Sequence, residues 1–314
     1  MNFLTRCSIL HGCLAGDGTL YVTLMNDALA EEREQHAIPL VWRHGAWACV
    51  AEEPFLPWLA AGVAAVGTPP LAAIVGWGGQ VLTVGPDGCG REGLQRQDGR
   101  PVAVVRSVVA VDGVLYAFGM RRQAYRRLAG GRWEAIDGGV AASGEDGAEV
   151  AFEALDGLDA GRLYGAGLSG EIWRRRDDRW QPIASPTNVH LSAVCCASDG
   201  TTYIGGRTGT LMRGADDTWD IRALDTADTI WDACQFRDKL YLRMGSDVAT
   251  YDWDNDVLLP LPDIHDATGF ACNGAHLLVL GRKRIVSCDG TAWRPVATEL
   301  DDAAIPPPLR QLLA

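Results

Sequence analysis

The segment GAGLSG at 165–170 has the Gly-x-Gly-x-x-Gly spacing that lays a pyrophosphate on backbone amides when a strand enters it and a helix leaves it. No helical pattern follows Gly170. The next residues, EIWRRR at 171–176, set Ile172 beside Trp173 and run into a polar turn at DDR, so the glycines are read as a turn between strands. Carboxylates at Glu153, Asp228, Asp232 and Asp266 have the chemistry of a glycosidase acid pair. Arg121, Arg122, Arg207, Arg282 and Lys283 could hold a carboxylate or sulfate. Nothing in the spacing ties either group together. There is no Gly-x-Ser-x-Gly elbow and no phosphate loop. Nine cysteines include no Cys-x-x-Cys pair and leave an odd one, and six histidines include no His-x-x-x-His pair. Neither a metal site, a cofactor nor a disulfide framework is expected, and a reducing cytoplasm is the expected compartment. The vicinal pair Cys195–Cys196 is expected to alternate across one strand.

The elements that must position these residues come from a repeat. RLYGAGLSGEIWRRRDDRWQPI (162–183) is followed by TTYIGGRTGTLMRGADDTWDIR (201–222), with aromatic strand, Gly-bounded turn, second strand, polar turn and Trp in the same order. Tyr164 precedes Trp180 by 16 residues, and Tyr203 precedes Trp219 by the same 16. Related copies place Tyr116 before Trp133 and Leu278 before Trp293; weaker ones begin near 19, 71 and 239, the last with Val257 in the place of Trp. The anchors Tyr116, Tyr164, Tyr203, Tyr241 and Leu278 lie 48, 39, 38 and 37 residues apart. A strand-built unit with a period near forty marks a β-propeller. Counting a preceding strand such as SVVAVDG (107–113), each unit holds four antiparallel strands. The fold class is therefore all-β, a seven-bladed propeller, with blades near 1–50, 57–98, 101–137, 149–184, 189–224, 228–262 and 265–298 and a C-terminal tail at 301–314. Adjacent apolar residues such as Ile172 and Trp173 suit blades buried on both faces, and the opening MNFLTRCSIL is a candidate to close the ring. Trp133, Trp180, Trp219 and Trp293 are read as packing between blades.

These features resemble kelch and Asp-box propellers and the propellers that serve as photosystem II assembly factors. The carrying residues are Gly205–Gly206, a kelch-like diglycine, and SCDGTAW at 287–293, which approaches an Asp box but lacks one residue between Asp289 and Gly290. The resemblance implies that the turns between second and third strands and the links between blades share one face, the top, where such proteins bind. On that placement the insertions at 26–38, 51–62 and 137–150 all lengthen the top, and long loops clustered on one face point to a shared purpose. NDALAEEREQHA is expected to form a short helix capped by Asn26 or Asp27, with Glu31 and Glu32 facing solvent. Partner-binding candidates on this face are Glu31, Glu32, Trp58, Arg121, Arg122, Glu145, Asp146, Arg207, Asp228, Trp231 and Arg282.

The formal charge of −12 over 314 residues argues against nucleic acid and favours basic partners. The uncharged run FLPWLAAGVAAVGTPPLAAIVG (55–76) is broken by three prolines and reads as two strands joined at GTPP rather than a membrane helix. ILHGCLAG at 9–16 loosely resembles a lipoprotein cleavage box, but Arg6 interrupts what precedes it and no apolar run of signal length is present. The functional expectation is a non-catalytic protein-binding propeller: an inhibitor or immunity protein of a basic toxin or effector, or an assembly factor. The alternative is a carbohydrate-active propeller, glycoside hydrolase or lectin.

Overall fold

The computed structural model describes residues 1–50, 52–141, 150–301, 303 and 305–313, with the side chains of 308 and 311 left aside. Glu145 and Asp146 lie outside the described residues. Seven four-stranded antiparallel sheets follow one another along the chain, each in simple sequential order. Blade 1 holds β1 (Cys7–Leu14), β2 (Leu20–Asn26), β3 (Ile38–Arg43) and β4 (Ala46–Cys49); blade 2 holds β5 (Ala60–Val66), β6 (Leu71–Gly76), β7 (Gln80–Gly85) and β8 (Gly88–Gly93). Blade 3 holds β9 (Val105–Val111), β10 (Val114–Gly119), β11 (Ala124–Arg127) and β12 (Trp133–Ala135); blade 4 holds β13 (Phe152–Asp159), β14 (Arg162–Gly167), β15 (Ile172–Arg176) and β16 (Arg179–Ile183). Blade 5 holds β17 (Leu191–Cys196), β18 (Thr202–Gly206), β19 (Thr210–Ala215) and β20 (Thr218–Ala223). Blade 6 holds β21 (Ile230–Phe236), β22 (Lys239–Met244), β23 (Asp247–Asp252) and β24 (Val257–Pro260); blade 7 holds β25 (Ala267–Cys272), β26 (Leu277–Gly281), β27 (Arg284–Cys288) and β28 (Trp293–Pro295). The innermost strands β1, β5, β9, β13, β17, β21 and β25 each touch the next around the ring, β25 meeting β1.

The blades bury both faces, as the adjacent apolar residues require. The second strands carry the largest buried aromatics, Tyr21, Tyr116 and Tyr164 among them. Aromatic rings then join neighbouring blades: Trp219 lies edge-on to Tyr164 at 6.0 Å, Trp253 meets Tyr203 at 6.3 Å, and Trp293 meets Tyr241 at 6.1 Å. Trp133 Nε1 donates to Glu92 of blade 2, and Trp180 Nε1 to the carbonyl of Ile136. In blade 6 the Trp position is filled by Trp253, not by Val257, which is exposed on the outer strand. Of residues 165–170, Gly165–Gly167 end β14 and Leu168–Gly170 form a 3-10 turn that leads through Glu171 into β15. Gly170 has φ 76°, and a Cβ there would lie 2.1 Å from the Thr187 carbonyl, so glycine serves backbone approach, not phosphate.

Ring closure does not exchange a strand, because β1 belongs wholly to blade 1. Residues ahead of β1 instead run beside the chain that leaves blade 7. Met1 and Leu300 exchange main-chain hydrogen bonds, Asn2 bridges Glu299, and Trp47 Nε1 donates to Ala297 O at 2.7 Å. The segment beyond 301 carries α2 (Pro307–Leu313), which buries Leu309 and Leu313, with Ile305 just ahead of it, against Phe3, Leu4, Leu280 and Ile285. The 26–38 insertion forms α1 (Asp27–Glu31), whose cap Asn26 accepts from Leu29 N and donates to Leu312 O at 2.7 Å. No helix among the described residues is long and apolar enough to cross a membrane, and 55–76 holds β5, the turn at Gly67–Pro70 and β6.

Candidate functional site

All seven innermost strands share one irregularity. Each skips one partner in the register, at the fourth residue of β1 and at the second of the other six, leaving Leu10, Ala61, Arg106, Glu153, Ser192, Trp231 and Thr268 unpaired in their ladders. Such bulges re-aim a side chain and twist the strand. Here they form a ring where the links from preceding blades enter, at the top mouth of the axial channel. Ser192 and Thr268 turn their hydroxyls back to the carbonyls of Ile230 and Leu280. Arg106 reaches Glu153 at 3.2 Å, and Trp231 stays 44% exposed. His190, just ahead of β17, sits among Glu153, Arg106 and Arg207; burial lowers its basicity and its Nε2 has no hydrogen-bond partner among the described residues.

Beside this ring, blades 2 and 3 present an apolar arc. The Trp58 ring covers Gly76, where a Cβ would sit 2.7 Å from it. Trp77 in the next turn is 47% exposed; its amide bonds Leu59 O and its carbonyl accepts from Val105 N. Val104 is 41% exposed, and its carbonyl accepts from Met120 N. Arg121 follows, exposed, with no side-chain partner among the described residues and its amide bonded to Val150 O. The exposed Trp77 and the half-buried Trp58, with aliphatic neighbours and a free guanidinium, make a surface of hot-spot composition.

The sequence candidates distribute as follows. Trp58 and Arg121 fall on this arc, and Trp231 and Arg207 on the mouth at blades 5 and 6, where exposed Asp228 also lies. Arg122 is withdrawn into the structure: its Nε donates to Glu171 at 2.7 Å and the guanidinium lies 5.2 Å above Trp173. Glu31 and Glu32 are exposed at the end of α1, and exposed Arg282 adjoins Lys283, whose ammonium donates to Leu4 O, Cys7 O and Asp27. Trp77, Val104, Met120 and Arg106 escaped sequence reading. The only signal for Trp77 was its place in the Gly-Trp-Gly-Gly turn of a weak repeat copy.

The mixed top contrasts with the opposite face. Asp112, Asp177, Asp178, Asp216 and Asp256 occupy first-to-second or third-to-fourth strand turns with positive φ. Aspartate tolerates that conformation, so part of the acidic surplus serves hairpin geometry away from the top. Asp289 does so too, accepting from Thr291 N, Thr291 Oγ1 and Ala292 N.

Inside the channel, a space of about 450 Å³ is lined by the inner strands. Its carboxylates are committed to blade joints. Asp156 accepts from Gly157 N and from Cys196 N of blade 5; Asp232 accepts from Ala233 N and from Phe270 N of blade 7. Burial raises both, Asp156 to about 6. His11 is held neutral by burial, near 4, with Nε2–H donating to Ala60 O. These carboxyls act as seam ties rather than as an acid pair aimed at a glycosidic bond. Among the described residues no group of three His, Cys, Asp or Glu side chains is placed to hold a metal.

No family model matches the chain. Solved propellers superpose on it throughout: YCF48 bound to a D1 peptide (TM-score 0.65, 15% identity, 91% of this chain and 94% of that one) and the RRP9 WD40 repeats (TM-score 0.65, 13% identity, 88% of each). YCF48 from Cyanidioschyzon merolae gives TM-score 0.64 at 14% identity, over 90% and 95% of the two chains. At such identities the likeness establishes the seven-bladed fold alone. Sequence similarity is far stronger to immune protein Tsi7 of Pseudomonas aeruginosa: 36% identity over 283 residues, covering 87% of this chain and 92% of that protein. With most of both chains matched at this identity, this propeller belongs to the family of the immune protein Tsi7.

Proposed function

We propose that the chain is an immunity protein that binds a toxin through its top face and thereby keeps the toxin inactive. The kinship with an immune protein carries this reading. The bulge ring and the Trp58–Trp77–Val104–Met120 arc supply the surface, offering apolar anchors at the centre and Arg106, Arg121 and Arg207 as charged neighbours. The net charge of −12 favours encounter with a basic toxin at long range, while the mixed top sets register at contact. A reducing cytoplasm is the proposed compartment, in keeping with nine unbridged cysteines. Kelch-like and Asp-box-like ancestry is a further proposal, supported by the Asp289 turn.

The test has two steps. A tagged full chain is used to capture a stoichiometric protein from its native cell, and that protein is then expressed in a sensitive host with and without the chain. Growth arrest relieved by the chain is the expected result. A captured protein that does not impair growth, or whose toxicity the chain leaves untouched, would overturn the reading.

A further inference from the structure

Blades 6 and 7 meet along the least extensive contact of any neighbouring pair of innermost strands, β21 against β25. Two side-chain hydrogen bonds join these two strands. One is Asp232, accepting from Phe270 N at 2.9 Å. The other is a pair of thiols, Cys234 Sγ donating to Cys272 Sγ at 3.1 Å. Cys234 is buried, whereas Cys272 is exposed on the wall of the axial channel, which both residues line. Two sulfurs already in contact need only a small rotation to reach bonding distance, and the backbone of each is fixed by its own sheet. Their surroundings favour a division of labour. The hydrogen bond that Cys234 donates favours the Cys272 thiolate, and the same bond together with burial keeps the proton on Cys234, above the ordinary thiol range. Cys13, the third thiol lining the channel, is pushed up to about 12 by burial, and Cys195 behind the wall accepts from Gln235 N at 3.2 Å and is held protonated by burial.

We propose that Cys234 and Cys272 are an oxidation site, converted by hydrogen peroxide entering the channel into a disulfide that cross-links blades 6 and 7. The Cys272 thiolate attacks one peroxide oxygen, the O–O bond breaks, and the departing hydroxide takes a proton to leave as water. Cys272 is then a sulfenic acid. Cys234, losing its proton, attacks that sulfur; the S–O bond breaks and the hydroxide leaves as a second water. The two thiols supply two electrons and two protons, and the peroxide is the oxidant consumed. The cross-link closes the long loop between neighbouring blades and stabilises the ring where its innermost strands touch least. It lies on the channel wall rather than on the turns of the top face, so it is independent of toxin recognition.

The experiment treats the purified full chain with hydrogen peroxide, counts free thiols, maps the non-reduced digest and follows the thermal midpoint. Expected are loss of two of the nine thiols, a single Cys234–Cys272 linkage, and a midpoint raised by several degrees and restored by dithiothreitol. Cys234→Ala, which keeps the buried site apolar, should accumulate a Cys272 sulfenic acid that dimedone traps; Cys272→Ser should slow thiol loss at least tenfold. Cross-links through other cysteines, oxidation of Cys272 to sulfinic acid without a disulfide, or no reaction at either thiol would each overturn the proposal. The wild-type digest decides the matter even where a variant folds poorly.

Discussion

Asp156 holds two opposing demands. Its carboxylate accepts two amide hydrogens, one from its own strand and one from blade 5, which favours the charge. Burial disfavours the charge more strongly and lifts the carboxyl from 3.8 to about 6. An acid whose folded pKa lies above its unfolded value binds more protons folded than unfolded between the two. Its contribution to stability therefore falls as pH rises from about 4 through about 6, and the penalty is complete above that. Two units correspond to a ceiling of about 3 kcal/mol, reduced because the side chain faces channel water. Asp156→Asn should flatten this segment of the stability curve, measured by urea unfolding at pH 4, 5, 6 and 7. An undiminished slope would assign it to other groups. The absolute stability should drop at low pH, since an amide can accept only one of the two hydrogens.

At the scale of elements, the same residue type does two unrelated jobs. Trp133 is 2% exposed, and its Nε1 shares Glu92 with Arg127 across the blade 2–3 seam; Trp133→Ala should cost about 3–5 kcal/mol. Trp77 is 47% exposed at a top turn, so Trp77→Ala should leave unfolding within about 0.5 kcal/mol of wild type while weakening toxin binding at least tenfold. Denaturant titration and calorimetric binding separate the two. Repeated tryptophans were legible in the sequence because they stand in register with a Tyr or Leu anchor. Trp77 and Trp253 were not, because the first belongs to a copy without that anchor and the second lies four residues before the position the register assigns. The bulges were invisible for a plainer reason. The seven bulged residues, Leu10, Ala61, Arg106, Glu153, Ser192, Trp231 and Thr268, share a backbone position and no chemistry.

For the whole molecule, the period near forty was enough to fix seven sheets, since no single blade can hide two apolar faces. How the ring closes could not be read, because the closing contacts are main-chain bonds of Met1 and Asn2 with Leu300 and Glu299 and the docking of α2, and neither repeats. α2 is a structural clasp: it buries Leu309 and Leu313 between the first and last blades, and its Leu312 carbonyl receives Asn26 beneath the α1 insertion. Leu309→Ala should cost about 2–5 kcal/mol, and a chain ending at 304 should lose cooperative unfolding at the blade 1–7 seam, seen as early amide exchange in β1 and β25. The acidic surplus is distributed over the molecule in the same structural sense. Aspartates such as Asp177 and Asp256 shape turns on the far side from the proposed interface, so net charge guides encounter and the top face decides binding.

The most direct measurement is toxin affinity, by calorimetry and by growth rescue, for Trp77→Ala, Trp231→Ala and Arg121→Glu on the top against Asp177→Asn and Asp256→Asn on the opposite turns. The account predicts losses of tenfold or more for each top variant and wild-type behaviour for the other two. Full protection by the top variants with protection lost in Asp177→Asn or Asp256→Asn would contradict it.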